Sequence, residues 1–272
     1  MRVADEAQAA AVARSYLSFF MQPLVPHWKP PAAQAAAALS SIIPVNRKLM
    51  YDMRAVIAGL CDEESVLELH EEHGCGIITA LVRVEGRAVG LIANNARHVG
   101  GALDAESCEK AARFVRLCDV RRLPLLSLID TPGYLVGPEA EATGVLRRGV
   151  SLITSVAHAS VPIVAVVVRK AFGLGAMAMA GGSLHVPLLT LAWPLAEFGA
   201  MGLEGAVRLG MRGALQKMRD EREREAAVKA AVEELGARGR AVNVASVVEV
   251  DDVVEPECTR SRVASALRAA KL

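Results

Sequence analysis

An apolar run, Val161 to Val168, leads directly into Arg169-Lys170-Ala171-Phe172-Gly173-Leu174-Gly175-Ala176-Met177, whose second half is rich in helix formers and small residues. A helix starting at these glycines leaves its first N–H groups without intrahelical acceptors, and the helix dipole adds partial positive charge there. Such a turn suits an anion, or a carbonyl that becomes an enolate. The donors would be backbone N–H groups of the turn Phe172-Gly173-Leu174-Gly175-Ala176. Two readings stay open: the turn holds an oxyanion, or its glycines only let helix and sheet pack closely. A second candidate is Asp130-Thr131-Pro132-Gly133-Tyr134, at the end of another apolar run, where open α/β sheets form ligand crevices. Its Asp130 could act as a catalytic carboxylate, but capping a turn that Pro-Gly shapes is the simpler reading.

His73, His98, His158 and His185 show no metal-ligand spacing, and His158, on a mostly apolar helix, reads as a packed residue. No metal is assigned. The sequence contains no G-x-S-x-G elbow, no G-x-x-x-x-G-K-[ST] loop and no G-x-G-x-x-G fingerprint, which removes the usual anchors for hydrolase, nucleoside-triphosphate and dinucleotide readings. Met177 and Met179 line a core or an apolar pocket.

The elements that must position these turns follow from hydrophobic patterning. Val161 to Val168 and Leu123 to Ile129 are continuous apolar runs, as expected of strands buried on both faces, and Leu188 to Trp193 is a shorter one. Upstream, Ile77 to Val84 and Ala88 to Ala93 flank Glu85-Gly86, a tight turn that makes them a hairpin. Helices are expected through Met53, Val56, Ile57 and Leu60, and after Asp104, which caps a face of Ala105, Cys108, Ala111, Ala112, Val115 and Cys118; Glu109, Arg113 and Arg116 lie opposite. A charged helix spans Gln216 to Leu235, with Gly236 as its stop. After a valine-rich run, a last helix lies near Ser261 to Ala270. Residues 1 to about 20 form an isolated helix. Gln22 to Ser41, with Pro23, Pro26, Pro30 and Pro31, reads as a linker that accepts no regular element.

At 272 residues the chain is long enough for one large α/β domain with a substantial core. Lys and Arg number 31 against 30 Asp and Glu, so no net field directs it to nucleic acid or an anionic membrane. The apolar run at 161–168 falls far short of the ~20 residues a membrane helix needs. Cys61, Cys75, Cys108, Cys118 and Cys258 are odd in number and lack C-x-x-C spacing; they read as reduced, packed thiols of a cytoplasmic protein.

Taken together in order, several stretches resemble a known family. Tyr51-Asp52-Met53-Arg54, Gly90-Leu91-Ile92-Ala93-Asn94-Asn95, Ala112 to Asp119 and Asp130 to Tyr134 are similar to the C-terminal half of the carboxyltransferase of biotin-dependent acyl-CoA carboxylases. The series continues through Arg169 to Gly173, Ala192-Trp193-Pro194, Met201 to Val207, Asp251 to Pro256 and Thr259-Arg260, covering roughly residues 42 to 262. The resemblance implies an α/β, crotonase-like ββα spiral at 42–272, preceded at 1–41 by a helix and Pro/Ala-rich linker resembling the bridge between the two halves of fused members, and closed by C-terminal helices.

It also implies a function. In that family the N-terminal half binds the acyl-CoA and the C-terminal half binds biotin, so this chain looks like the biotin-side subunit of an acyl-CoA carboxyltransferase. It would move a carboxyl group from N-carboxybiotin, held on a separate biotin carboxyl carrier protein, to the α-carbon of an acyl-CoA. Its partners would be that carrier, a biotin carboxylase and a CoA-binding carboxyltransferase half or subunit, in a hetero-oligomer. The biotin ureido oxygen would be held by N–H groups that map to Leu174 and Gly175 after Gly173, with Thr131, Pro132, Gly133, Tyr134, Phe172, Ala176 and Met177 lining the pocket. Biotin, having lost CO2, would take the α-proton. Many members acting on short acyl-CoAs have Gly-Ala-Tyr-Asp where this chain has Leu174-Gly175-Ala176-Met177, so their substrates do not transfer directly. Bulky substitution at Gly175 is expected to abolish transfer and leave folding intact. The competing readings are a malonyl-type acyl-CoA decarboxylase and a non-catalytic partner of full-length carboxyltransferases.

Overall fold

The computed structural model describes residues 2–46, 49–218 and 220–270. Asp5 caps the first helix, α1 (Glu6–Met21), by accepting from the Gln8 N–H at 2.7 Å. The segment expected to be a featureless linker differs from that expectation. It carries two short helices, α2 (Ala33–Ala37) and α3 (Leu39–Ile42), because the prolines stop at Pro31 and an alanine-rich, helix-favouring run follows. Leu39 is only 2 % exposed and packs against Gly59 of α4 (Met53–Leu60), where an added Cβ would lie 2.7 Å from Leu39 Cδ2. The chain before α2 also docks on the sheet: Val25 N–H donates to Gly86 O and Ala88 N–H to Pro23 O.

The sheet begins with β1 (Leu67–Leu69), β2 (Ile77–Val84) and β3 (Arg87–Asn94), antiparallel in that order. The expected hairpin is present. Glu85 and Gly86 both have positive φ (50° and 76°), the condition for a turn that follows the strand twist, and the Asp62 carboxylate accepts from both of their N–H groups. Arg260, 198 residues later, pairs with Asp62 at 2.6 Å and donates to Leu60 O, so the C-terminus closes over this corner.

From β3 the sheet turns parallel. Asp104 caps α5 (Ala105–Val120) as expected, accepting from Ser107 N–H at 2.7 Å. Then follow β4 (Leu125–Thr131), α6 (Pro138–Ala142), α7 (Val145–Ala157), β5 (Ile163–Phe172) and α8 (Gly173–Met179). The chain continues through β6 (Leu189–Ala192), β7 (Glu197–Gly199), α9 (Leu203–Gly210), α10 (Arg212–Lys217), α11 (Glu221–Arg238), α12 (Ala241–Ser246), β8 (Asp252–Val253) and α13 (Thr259–Ala269). Strand order is β1-β2-β3-β4-β5-β6-β8, with β7 beside the end of β5. The α/β, crotonase-like fold expected from the sequence is the one observed.

Continuous apolar strands follow from burial on both faces. Ile163, Ala165 and Val167 of β5 enter one core, against α5, α7 and α8. Val164, Val166 and Val168 enter the other, against α4 and α13. A third, smaller cluster joins Phe172 to Leu203, Val207, Leu215, Val228 and Val232 under α9 to α11. The charged helix expected over 216–235 is interrupted: α10 ends at Lys217, and Asp220 caps α11 by accepting from Arg222 N–H. Gly236 does not end α11 but is buried within it, and Gly239 takes the C-cap. His158 is not packed; it is exposed at the C-cap of α7, with Nδ1 2.9 Å from Thr154 O. Of the cysteines, Cys61, Cys108 and Cys118 are buried, Cys75 is half-buried, and Cys258 is exposed rather than packed. Among the described residues no helix is long and apolar enough to cross a membrane.

Candidate functional site

The two turns singled out in the sequence meet at the C-terminal ends of β4 and β5. After β4, Thr131 Oγ1 accepts from Gly133 N–H at 3.1 Å, Gly133 takes φ +117°, and its carbonyl accepts from Leu103 N–H. Tyr134 packs its ring where a side chain at Gly149 of α7 would sit and donates its hydroxyl to Gly149 O at 3.3 Å. After β5, Gly173 turns the chain at φ +59°, a conformation L side chains rarely adopt, and an added Cβ would lie 2.8 Å from Ala200 O. At Gly175 an added Cβ would lie 2.7 Å from Gly133 Cα and 2.9 Å from Gly133 C.

This close approach brings Gly173, Leu174 and Gly175 beside Pro132, Gly133 and Tyr134. It also overturns the expectation that a bulky residue at Gly175 leaves folding intact, because the obstacle is backbone rather than a side chain that can swing away. Packing therefore accounts for Gly175. As the first three residues of α8, Gly173, Leu174 and Gly175 have no intrahelical acceptor, and Gly173 lies next to the Phe172–Gly199 pair of the β5/β7 ladder. Leu174 is 66 % exposed, Ala176 is fully buried, and Met177 is half-buried against the main core. Phe172 anchors the turn in the C-terminal cluster. A cavity of about 440 Å³ opens alongside, lined by Pro132, Lys170, Phe172, Glu197, Leu203 and Glu204.

Asp130 sits beneath the turns and is 0 % exposed. Its Oδ2 accepts from Tyr51 Oη at 2.8 Å and pairs with Arg169 Nη2 at 3.1 Å. Its Oδ1 accepts from Lys170 N–H at 3.0 Å and lies 3.5 Å from Lys170 Nζ. Both oxygens are engaged and neither faces solvent, so the carboxylate fastens the ends of β4 and β5 together and is not placed to act as a base. The Asp130 N–H donates to Asn94 Oδ1, which ties β3 to the same point. Arg169 stacks over the Tyr51 ring at 4.7 Å and donates to Leu49 O at 2.8 Å. Lys170 Nζ donates to Gly100 O at 2.6 Å.

Burial drives the proton affinities here. It raises Tyr51 far above the usual phenol range, reinforced by Asp130. It lowers Lys170 despite the opposing pull of Asp130. Burial also raises Tyr134. Tyr51, Asn94, Arg169 and Lys170 were not singled out as a unit from sequence; the available signal was Arg169-Lys170, two cations ending an otherwise apolar strand. Among the described residues no group of three His, Cys, Asp or Glu side chains is placed to hold a metal ion. The N–H groups that open α8 suit a carbonyl oxygen that gains negative charge.

The family profile of the carboxyl transferase domain matches residues 1–271. The chain belongs to that family. This carboxyl transferase domain is 37 % identical over 269 residues to the propionyl-CoA carboxylase beta chain of Roseobacter denitrificans, covering 96 % of this chain and 51 % of that one. It is 35 % identical over 229 residues to the methylmalonyl-CoA decarboxylase subunit alpha of Propionigenium modestum, covering 84 % and 44 %. Among solved structures, a single-chain, multi-domain long-chain acyl-CoA carboxylase superposes with a TM-score of 0.88 at 43 % identity, covering 96 % of this chain and 25 % of that one. The carboxyl transferase domain spans about half the length of the propionyl-CoA carboxylase relative.

Proposed function

We propose that this domain is the biotin side of an acyl-CoA carboxyltransferase. It receives N-carboxybiotin from a biotinylated carrier protein and delivers the carboxyl group to the α-carbon of an acyl-CoA held by a CoA-binding half, with a biotin carboxylase charging the carrier. The observation that carries this reading is the contact between the two turns. It sets the first N–H groups of α8, which have no intrahelical acceptor, at the strand ends next to a cavity, where an oxyanion developing on the ureido group would be stabilised. Biotin, while bound, supplies the carboxyl group and the acceptor for the α-proton. The chain's own work is to hold the ureido oxygen with Leu174 and Gly175 N–H, to shape the pocket with Thr131, Pro132, Gly133, Tyr134, Phe172, Ala176 and Met177, and to keep the turns in register through Asp130. Leu146 and Val150, one turn apart on α7, and Leu174 on α8 are exposed apolar side chains on two helices that pack together, which supports a partner surface on these helices.

The test removes one donor and keeps the shape. Replacing the Leu174 amide by an ester, through the α-hydroxy acid, should lower carboxyl transfer about 10²- to 10³-fold in a complex with the CoA-binding half and biotinyl carrier, with the melting temperature nearly unchanged. A full rate from the ester would overturn the assignment. A second reading, decarboxylation of a malonyl-type acyl-CoA, is favoured by the relative named as a decarboxylase subunit. Release of labelled CO2 from such a thioester by the assembled complex, without net transfer to an acceptor, would establish it.

A further inference from the structure

Away from these turns, a second cavity of about 220 Å³ lies between the end of β1 and α5, lined by Leu69, His70, His73, Lys110, Arg113 and Phe114, with Leu117 behind. Positions 110, 113, 114 and 117 fall at i, i+3, i+4 and i+7, so they form one face of α5. The face is divided by chemistry: two cations at its N-terminal end, an aromatic and an aliphatic side chain beyond them.

Lys110 is 5 % exposed. Its ammonium donates to Ile77 O at 2.8 Å, one of three possible donations, and it has no ion-pair partner among the described residues. The nearby acids are committed elsewhere. Arg54 holds Glu68 at 2.7 Å and reaches Glu71 at 3.6 Å, while Glu106 lies 3.8 Å from His73. Arg113, at the rim, likewise has no ion pair among the described residues. Glu68 and Glu71 offset the burial of the Lys110 ammonium only in part, from beyond ion-pair distance and shared with Arg54, and an anion entering the cavity would relieve the remaining cost. The volume is below the roughly 300–1,000 Å³ of pockets for drug-sized ligands, so the occupant is small.

We propose that this cavity binds a small amphipathic organic anion, a carboxylate or phosphate attached to a ring or short chain, with its head between Lys110 and Arg113 and its apolar part on Phe114 and Leu117. The test titrates the full chain with benzoate, phenyl phosphate, benzyl alcohol and inorganic phosphate, following the imidazole proton resonances of His70 and His73. At least one aromatic anion should saturate, with benzyl alcohol and inorganic phosphate at least tenfold weaker. Arg113→Glu, at an exposed position, and Lys110→Met should each weaken the anion at least tenfold. Failure of both aromatic anions to saturate, equal binding of benzyl alcohol or inorganic phosphate, or unchanged affinity in Arg113→Glu would each overturn the proposal. No step of the test depends on carboxyl transfer, so it stands or falls separately from the reading of the first site.

Discussion

Gly175→Ala is a one-atom probe of the contact on which the site depends. The added Cβ would lie 2.7 Å from Gly133 Cα, and ordinary contact begins near 3.4 Å, so the two backbones must separate by about 0.7 Å. Overpacking of this kind costs about 1–3 kcal/mol. In domains of 150–250 residues each kcal/mol lowers the melting temperature by ~2–4 °C, so a fall of roughly 2–12 °C is expected. The effect on catalysis should be proportionally larger, because a displacement near 1 Å at a reacting centre can cost ~10²-fold in rate. The assays are thermal unfolding of the chain and carboxyl transfer in the reconstituted complex. Gly210→Ala serves as the control. An added Cβ there meets nothing within 4 Å and φ is negative, so it should be neutral or stabilise by ~0.4–1 kcal/mol. If Gly175→Ala matches the wild type in both stability and transfer, the argument that the two turns are locked by this contact is wrong.

Asp130→Asn should destabilise by about 3–5 kcal/mol, read from denaturant unfolding, because it leaves Arg169 buried without its counter-charge. Trp193→Phe should cost about 1–3 kcal/mol by orphaning the buried Thr259 hydroxyl that now accepts from Trp193 Nε1 at 2.8 Å. Burial pushes the thiols of Cys61 and Cys108 up to about 12. The folded state therefore keeps protons that the unfolded chain releases near pH 9, and stability should fall as pH rises from 9 toward 12. Lys110 and Lys170, both lowered, oppose this up to the ordinary lysine range, so a flat unfolding profile between pH 8 and 10.5 would show that the thiols do not dominate. With a thiol-specific reagent at neutral pH, Cys258 should react first and Cys75 more slowly, and labelling of Cys61, Cys108 or Cys118 without unfolding would contradict the burial seen here.

The framework was legible because its signals are local. β2, β3 and their turn, the Asp104 cap and the doubly buried β4 and β5 each show in a window of ten or so residues. The candidate turns were legible too, as glycines at strand ends. What pattern reading missed depends on contacts between distant segments. Tyr51, Asn94, Asp130 and Arg169 are spread over more than a hundred residues, and no spacing rule joins them. Four prolines masked the helix-forming alanines that follow them, and Leu39 looked unremarkable until α4 was placed beneath it. At Gly236, glycine's preference for helix ends competed with its use inside a packed helix, and packing prevailed. Bulk at Gly175 was expected to leave folding intact because the backbone it meets belongs to another strand's turn, which no local pattern shows.

The Asp62 corner has a consequence for synthesis. The carboxylate that caps the β2–β3 hairpin receives Arg260, and Leu60 O receives the same guanidinium across 200 residues of chain. At ~5–20 residues per second, about 10–40 s pass between translation of that corner and of its closing arginine. Throughout that interval the apolar face later covered by Val263, Ala264 and Leu267 of α13 is open on the nascent chain. That face of the core thus waits on the synthesis of α13, and this is the stage at which a chaperone or a neighbouring nascent chain would find the molecule most adhesive.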